Sequence, residues 1–273
     1  MNITVICDNN PYKGGLETGW GFSCLVTGME KGILFDTGPG QALLDNMEKL
    51  AIKPSEIDIV FLSHIHGDHS GGLNSFLEKN PDVTIYLPKS FPQKFKTTVQ
   101  SSGAKIVEIE KSLKICEDAY STGQVGGWIK EQSLIIRTDK GLVIITGCAH
   151  PGIIKIVNPV RNYRQQVPGA ERLTSNGVNT ARDLMKSGLR PELRQGLRPD
   201  KDNIHLLMGG FHLEWATKGK IEKIISAFKQ MGVRYIAPAH CTGEKARSLF
   251  EEHFGKNYIN IGVGKIITLA DLS

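Results

Sequence analysis

Ser63-His64-Ile65-His66-Gly67-Asp68-His69-Ser70-Gly71-Gly72 is the stretch on which the reading of this chain turns. It gathers three imidazoles and a carboxylate, borderline and hard donors that suit zinc, iron or manganese. Alternate side chains of an extended backbone share a side, so His64 and His66 face one way. Gly67 is expected to let the chain turn tightly, swinging Asp68 and His69 toward a second ion. A His-x-His-x-Asp-His string arises by accident in roughly one chain in several thousand, so a polar loop with chance histidines is the weaker reading.

Working outward, residues 57–62 form a continuous apolar run that reads as a strand buried on both faces and ends at Ser63. Upstream, strands are expected at 3–7, 22–27 and 33–35, the last reached through a tight turn at 29–32. A helix over 42–51 places Leu43, Leu44, Met47 and Leu50 on one face. Residues 71–77 open the next helix. Downstream, strands are expected at 83–87 and 106–109. Residues 134–138 and 142–146 flank Asp139-Lys140-Gly141, a hairpin signal. A strand at 204–208 ends in Gly209-Gly210. Ile221, Ile224, Ile225, Phe228 and Met231 form a helical stripe, and a strand at 233–237 leads into Pro238-Ala239-His240. A helix over 244–254 precedes strands at 258–261 and 265–269. Two strand-rich halves with amphipathic helices predict an α/β layered sandwich with chemistry in the loops at strand ends.

The 273 residues, 40% hydrophobic and 22% charged, suffice for one large domain or two small ones. There is no apolar run of about 18 residues, so no membrane-spanning helix is expected. The first residues lack a basic stretch followed by an apolar one, which predicts a cytoplasmic protein. Five cysteines without a Cys-x-x-Cys pair argue against a disulfide framework. Charge is uneven: residues 158–203 hold seven of the ten arginines and contribute +4 of the net +5. That stretch, rich in Gly, Pro, Asn and Gln, reads as an Arg-rich insertion with a short helix near 179–186: a candidate lid, a contact between copies in a homo-oligomer, or a neutral acquisition that the loop tolerates.

Asp36-Thr37-Gly38 after one strand, then His-x-His-x-Asp-His after the next, resembles the pattern of the metallo-β-lactamase superfamily. The resemblance implies an αββα four-layer sandwich, one domain over 1–273 interrupted by the insertion, with the metals at one edge. It implies two divalent ions, zinc foremost and iron or manganese as alternatives. His64, His66 and His150 are expected to hold the first ion; Asp68, His69 and His240 the second. Asp36 is expected to lie behind them, hydrogen-bonded to a ligand. Many members carry Thr-Gly-Asp where this chain has Thr146-Gly147-Cys148. Cys148 is then either a thiolate ligand or a small buried residue.

Asp8-Asn9, Gly21-Phe22-Ser23, Gly147-Cys148-x-His150, Gly209-Gly210-Phe211-His212-Leu213 and His240-Cys241-Thr242-Gly243 occur in that order. The set is similar to the branch of 7,8-dihydropterin-6-methyl-4-(β-D-ribofuranosyl)aminobenzene-5′-phosphate synthase-like proteins. That resemblance implies an enzyme with a phosphorylated small-molecule substrate, acting as a transferase or as a hydrolase through metal-activated water. Asp68 and His212 are the candidates for a direct catalytic part, His212 through phosphate binding or proton transfer. His205 and His253 are assigned no function. Two alternatives stand beside this reading. One is a nuclease gripping phosphates with the insertion, although Tyr163 is its only aromatic residue, so nucleic acid is the less favoured partner. The other is a metal or redox sensor using Cys148 and Cys241.

Overall fold

A computed structural model describes residues 1–161 and 203–273. Thirteen strands form two sheets. In the first, β1 (Asn2–Cys7), β2 (Ser23–Thr27), β3 (Ile33–Phe35), β4 (Ile59–Phe61), β5 (Thr84–Pro88), β6 (Lys105–Ile109) and β13 (Ile266–Thr268) lie in the order β13-β1-β2-β3-β4-β5-β6. In the second, β7 (Lys111–Cys116), β8 (Ala119–Gly123), β9 (Leu134–Thr138), β10 (Gly141–Thr146), β11 (Ile204–Gly210) and β12 (Tyr235–Ala239) lie in the order β12-β11-β10-β9-β8-β7.

The apolar runs predict the layering, because alternate residues of a strand serve opposite faces. Ile33, Phe35, Ile59 and Phe61 point between the sheets, where they meet Val143, Ile145, Leu206 and Met208. Their neighbours Leu34 and Val60 point outward to α1 (Ala42–Lys49) and α3 (Leu73–Lys79) through Leu43, Met47, Leu73 and Phe76. Leu142, Ile144 and Leu207 point outward from the second sheet to α5 (Ile153–Arg161), α6 (Lys218–Gln230) and α7 (Glu244–Phe254). Three buried interfaces therefore separate four layers, the expected αββα sandwich. Between α1 and α3 lies the single turn α2 (Gly67–Ser70), and α4 (Gln93–Ser101) links β5 to β6.

Several expectations change. Residues 111–123, to which the sequence reading assigned no element, form β7 and β8 at the sheet edge, and α4 and α5 were not foreseen. The expected strand at 258–261 is a single bridge from Tyr258 to Ile236. Residues 158–161, assigned to the insertion by composition, are the end of α5, with Val160 buried. The remainder of the Arg-rich stretch, including the helix expected near 179–186, lies outside the described residues. Among the described residues no helix is long and apolar enough to cross a membrane.

The topology places the chemistry. β3 and β4 run parallel, as do β10, β11 and β12. Their carboxyl ends, and that of β1, open at one edge of the sandwich. Side chains immediately after those strands are Asp8, Asp36, Ser63 and His64, Cys148 and His150, His212, and His240. The two sheets close tightly here because of Gly147: a Cβ on it would overlap the Ser63 hydroxyl and reach 3.2 Å from Asp36 Oδ2.

Candidate metal centre

Six of the eight histidines reach this edge. Four of the six non-glycine residues with positive φ among the described residues are Asp36, Ala149, His212 and His240, at 53°, 61°, 54° and 47°. Such left-handed backbone costs on the order of 1–3 kcal/mol per residue and gathers at functional sites. Here it turns the chain sharply off each strand end, so that the side chain is aimed back over the sheet edge.

Two donor groups result. His64, His66 and His150 form one; Asp68, His69, Cys148 and His240 form the other. Gly67 does not act as expected. It begins the single helical turn α2, its φ is not positive, and a Cβ there would sit in open space. Helical geometry rather than glycine freedom carries Asp68 and His69 round. The glycine that matters follows: a Cβ on Gly72 would collide with the Thr37 carbonyl.

Hydrogen-bond accounting fixes which ring nitrogens face the centre. The Ser63 hydroxyl donates to Asp36 Oδ2 at 2.7 Å, so at 2.9 Å it accepts from His64 Nδ1–H. The His69 Nδ1–H donates to Asp36 Oδ2 at 2.7 Å. His150 Nδ1–H donates to Glu131 Oε2 at 3.1 Å, since a carboxylate only accepts. Asn9 Oδ1 takes Gly21 N–H at 3.1 Å, which marks it as the oxygen, and takes His240 Nδ1–H at 2.9 Å. Four imidazoles are thereby held with Nδ1 protonated and the Nε2 lone pair turned inward, the arrangement that outer hydrogen bonds impose on metal-binding histidines.

Two of the inward atoms are then close in a way that hydrogen bonding does not explain. His69 Nε2 lies 3.3 Å from His240 Nε2, and Asp68 Oδ2 lies 3.2 Å from His240 Nε2 and 3.5 Å from His69 Nε2. His64 Nε2 lies 3.2 Å from His66 Nδ1. The facing lone pairs of His69 and His240 repel unless a cation stands between them. Ligands held about 2.0–2.1 Å from a tetrahedral zinc are separated by about 3.3–3.4 Å. The donor chemistry and spacing therefore fit divalent metal.

The electrostatics agree. Burial, then the neighbouring imidazoles, pushes His64 well below the ordinary histidine range, and His69 is pushed down to about 3 for the same reasons. Neutral rings are the ligating form. Burial works to raise the Asp68 carboxyl, but its close approach to the His240 and His69 rings outweighs this and holds it below the usual range, and the same approach raises His240. Burial raises Asp36 despite the donors on it from Ser63.

Cys148 sits among these donors, with Sγ 3.1 Å from His69 Nε2 and 3.4 Å from Cys241 Sγ. The hydrogen bond shared with Cys241, then burial, raises its thiol. His212 lies beside His150, ring centroids 4.8 Å apart, and forms a third donor group with Cys148 and His150. Its hydrogen bond with Cys241 raises its pKa.

Four supporting residues were not assigned a role from sequence. Glu131, fully buried, accepts the backbone N–H groups of Cys148, Ala149 and His150 at 2.9, 2.8 and 3.0 Å besides gripping the His150 ring. Burial works against its charge, but His150, His64 and the backbone donors hold the carboxyl down at about 2. Ser63 links Asp36 to His64, and Asn9 orients His240. Asp8 Oδ2 accepts the His240 N–H at 3.1 Å. The run Glu131-Gln132-Ser133 carries no sign of burial in its composition. Only its position just before an apolar strand hinted at a strand-end role.

A family model described as the metallo-beta-lactamase superfamily matches residues 21–155, the stretch from the loop before β2 into α5 that carries both halves of the first donor group. The chain belongs to the metallo-β-lactamase superfamily. A solved structure described as a metal-dependent hydrolase of the beta-lactamase superfamily is 27% identical, with a TM-score of 0.69 and 98% of each chain covered. The 7,8-dihydropterin-6-methyl-4-(β-D-ribofuranosyl)-aminobenzene-5′-phosphate synthase of Methanocaldococcus jannaschii is 27% identical over 97% of this chain and 96% of its own. A ribonuclease Z of Nanoarchaeum equitans is 37% identical, but over 35% of this chain and 30% of its own. Likeness to the synthase thus runs the length of this metallo-β-lactamase chain, whereas a ribonuclease Z of Streptococcus pyogenes, also 27% identical, covers 70% of this chain and 58% of its own.

Proposed function

We propose that this chain is a metal-dependent enzyme acting on a phosphorylated small molecule, with a reaction like that of the pterin–ribofuranosylaminobenzene phosphate synthase. The observation that carries the metal reading is the pair of facing Nε2 atoms on His69 and His240, 3.3 Å apart with both Nδ1 positions committed elsewhere. What supports the substrate class is the full-length likeness to the synthase.

In this reading His64, His66 and His150 hold one divalent ion and Asp68, His69 and His240 a second, with Cys148 within reach of the latter. Bound metal would supply Lewis acidity and activate water near neutral pH. The protein's own part is positioning. Asp36, Glu131, Asn9 and Ser63 fix ring orientation and tautomer. Asp68, ionised and partly exposed, is the group that can take a proton at the open side of the cluster. His212, exposed at the strand edge with a raised pKa, is placed to hold a phosphate oxygen or pass a proton to a leaving group.

The test is a paired assay on protein purified without chelator, with metal measured by elemental analysis. Joining of a 6-methyl-activated dihydropterin to ribofuranosylaminobenzene 5′-phosphate, lost on chelation and restored by zinc, iron or manganese, is the expected result. Phosphoester hydrolysis without condensation would move the reading to a hydrolase. Absence of metal even after reconstitution would overturn it.

A further inference from the structure

All three tryptophans of the chain are exposed, and each rides on a turn that is hydrogen-bonded to the metal centre. Trp20, Trp128 and Trp215 are 53%, 101% and 93% exposed. An exposed tryptophan held beside a cluster of candidate ligands offers an aromatic partner a face to stack on.

Their anchoring is specific. Trp20 lies with its ring edge-on to His240, centroids 4.9 Å apart. The turn that carries it is tied down by Gly19 N–H to Asp8 O, Gly21 N–H to Asn9 Oδ1 and Phe22 N–H to Asp68 O. The same Asn9 oxygen therefore orients Trp20's neighbour and the His240 ring. Trp128 tips a loop closed by reciprocal hydrogen bonds between Val125 and Glu131, and Glu131 holds the His150 ring. That loop rests on the residue after His150: a Cβ on Gly126 would come within 2.9 Å of Pro151. Trp215 follows Leu213 and Glu214, whose N–H groups both donate to the Cys241 carbonyl, and it stands three residues beyond His212.

We infer that these three tryptophans are the seat for a flat conjugated ring, holding the aromatic part of the substrate while its reacting group lies at the metals. Tryptophan suits this role because a ring stacked on it gains dispersion and quadrupole attraction without any hydrogen-bond match. Copy-to-copy association is disfavoured as the occupant by this placement, since each anchor is a member or support of the cluster or, for Trp215, the residue after His240. The inference rests on the metal-centre reading above, which locates the chemistry beside the residues that anchor the three turns.

Calorimetric titration of the metal-loaded full chain tests it, with pterin and 1-naphthyl phosphate as ring probes and ribose 5-phosphate as the ringless control. Both ring probes should saturate the wild-type protein below about 1 mM. Trp20→Ala and Trp215→Ala should each weaken ring binding by about tenfold. Trp128→Ala should do so to a smaller extent. Metal content, thermal midpoint and the response to ribose 5-phosphate should stay unchanged. Binding of neither ring probe, or equal binding by wild type and all three variants, overturns the seat. Binding of 1-naphthyl phosphate alone, weakened by the substitutions, keeps the seat and rejects the pterin-like substrate. A dimer that dissociates on substitution, with ring binding intact, would reassign these residues to a contact between copies.

Discussion

The Asp36 carboxylate and the His69 ring meet at 2.7 Å, both without solvent exposure, and the same carboxylate oxygen takes the Ser63 hydroxyl that steadies His64. One buried acid thus reaches both donor groups.

Asp36→Asn should reveal this. The amide keeps the shape but supplies N–H where two donors already point. His69 must then turn its proton to Nε2, which removes a lone pair from the second group. Metal affinity should fall by about 10–100-fold, the usual effect of removing such a partner. Competition with a fluorescent chelator measures it. Unchanged affinity would mean that His69 is not a ligand.

Glu131 invites two substitutions that part its roles. Glu131→Gln leaves one acceptor oxygen for the backbone donors and loses the charge that sets the His150 tautomer. It should fold, and should bind the first metal about 10–100-fold more weakly. Glu131→Ala leaves three N–H groups without this acceptor, the two buried ones at about 1–3 kcal/mol each. It should lower the urea midpoint sharply; equal midpoints for the two variants would contradict the arrangement.

Gly147→Ala probes the junction of the sheets. A methyl group must displace the Ser63 hydroxyl, and with it the link between Asp36 and His64. Metal content should fall while far-ultraviolet circular dichroism stays native. Gly67→Ala is the matched control and should change neither, because a Cβ there meets nothing within 4 Å.

Asn46 tests the support of the turn that bears Trp20. Its side chain donates to Ile6 O and Glu17 O and accepts from Glu17 N–H, at 2.9, 2.8 and 2.8 Å. Asn46→Ala strips three partners at once, each worth about 1 kcal/mol net. We expect a lower denaturation midpoint with metal stoichiometry preserved.

Phe228 lies in the core between the second sheet and its helices, stacks on Phe250 at 5.9 Å and meets Phe211, the residue before His212, edge-on. Phe228→Ala should cost about 3–5 kcal/mol of stability, as for other buried aromatics. Metal content should survive at temperatures below the transition.

The sequence alone determined the layered fold and pointed to most of the candidate donors, because both are written locally. Apolar runs such as 142–146 must be covered on two faces, and His-x-His-x-Asp-His is dense with ligands over six residues. What resisted reading was weakly patterned. Strands β7 and β8 lie at a sheet edge, partly in water, so residues 111–123 need no apolar alternation. In α4, the sequence Lys94-Phe95-Lys96-Thr97-Thr98-Val99 is poor in helix formers, and packing of Val99 overrides it. Pro159 inside α5 disguised that helix. Tertiary structure alone decided the hydrogen bonds that aim the donors. Glu131 lies 19 residues from His150, Asn9 lies 231 from His240, and Asp36 lies 33 from His69. Such pairings have no periodicity to read, because they exist only where parallel strands from two sheets end at a common edge.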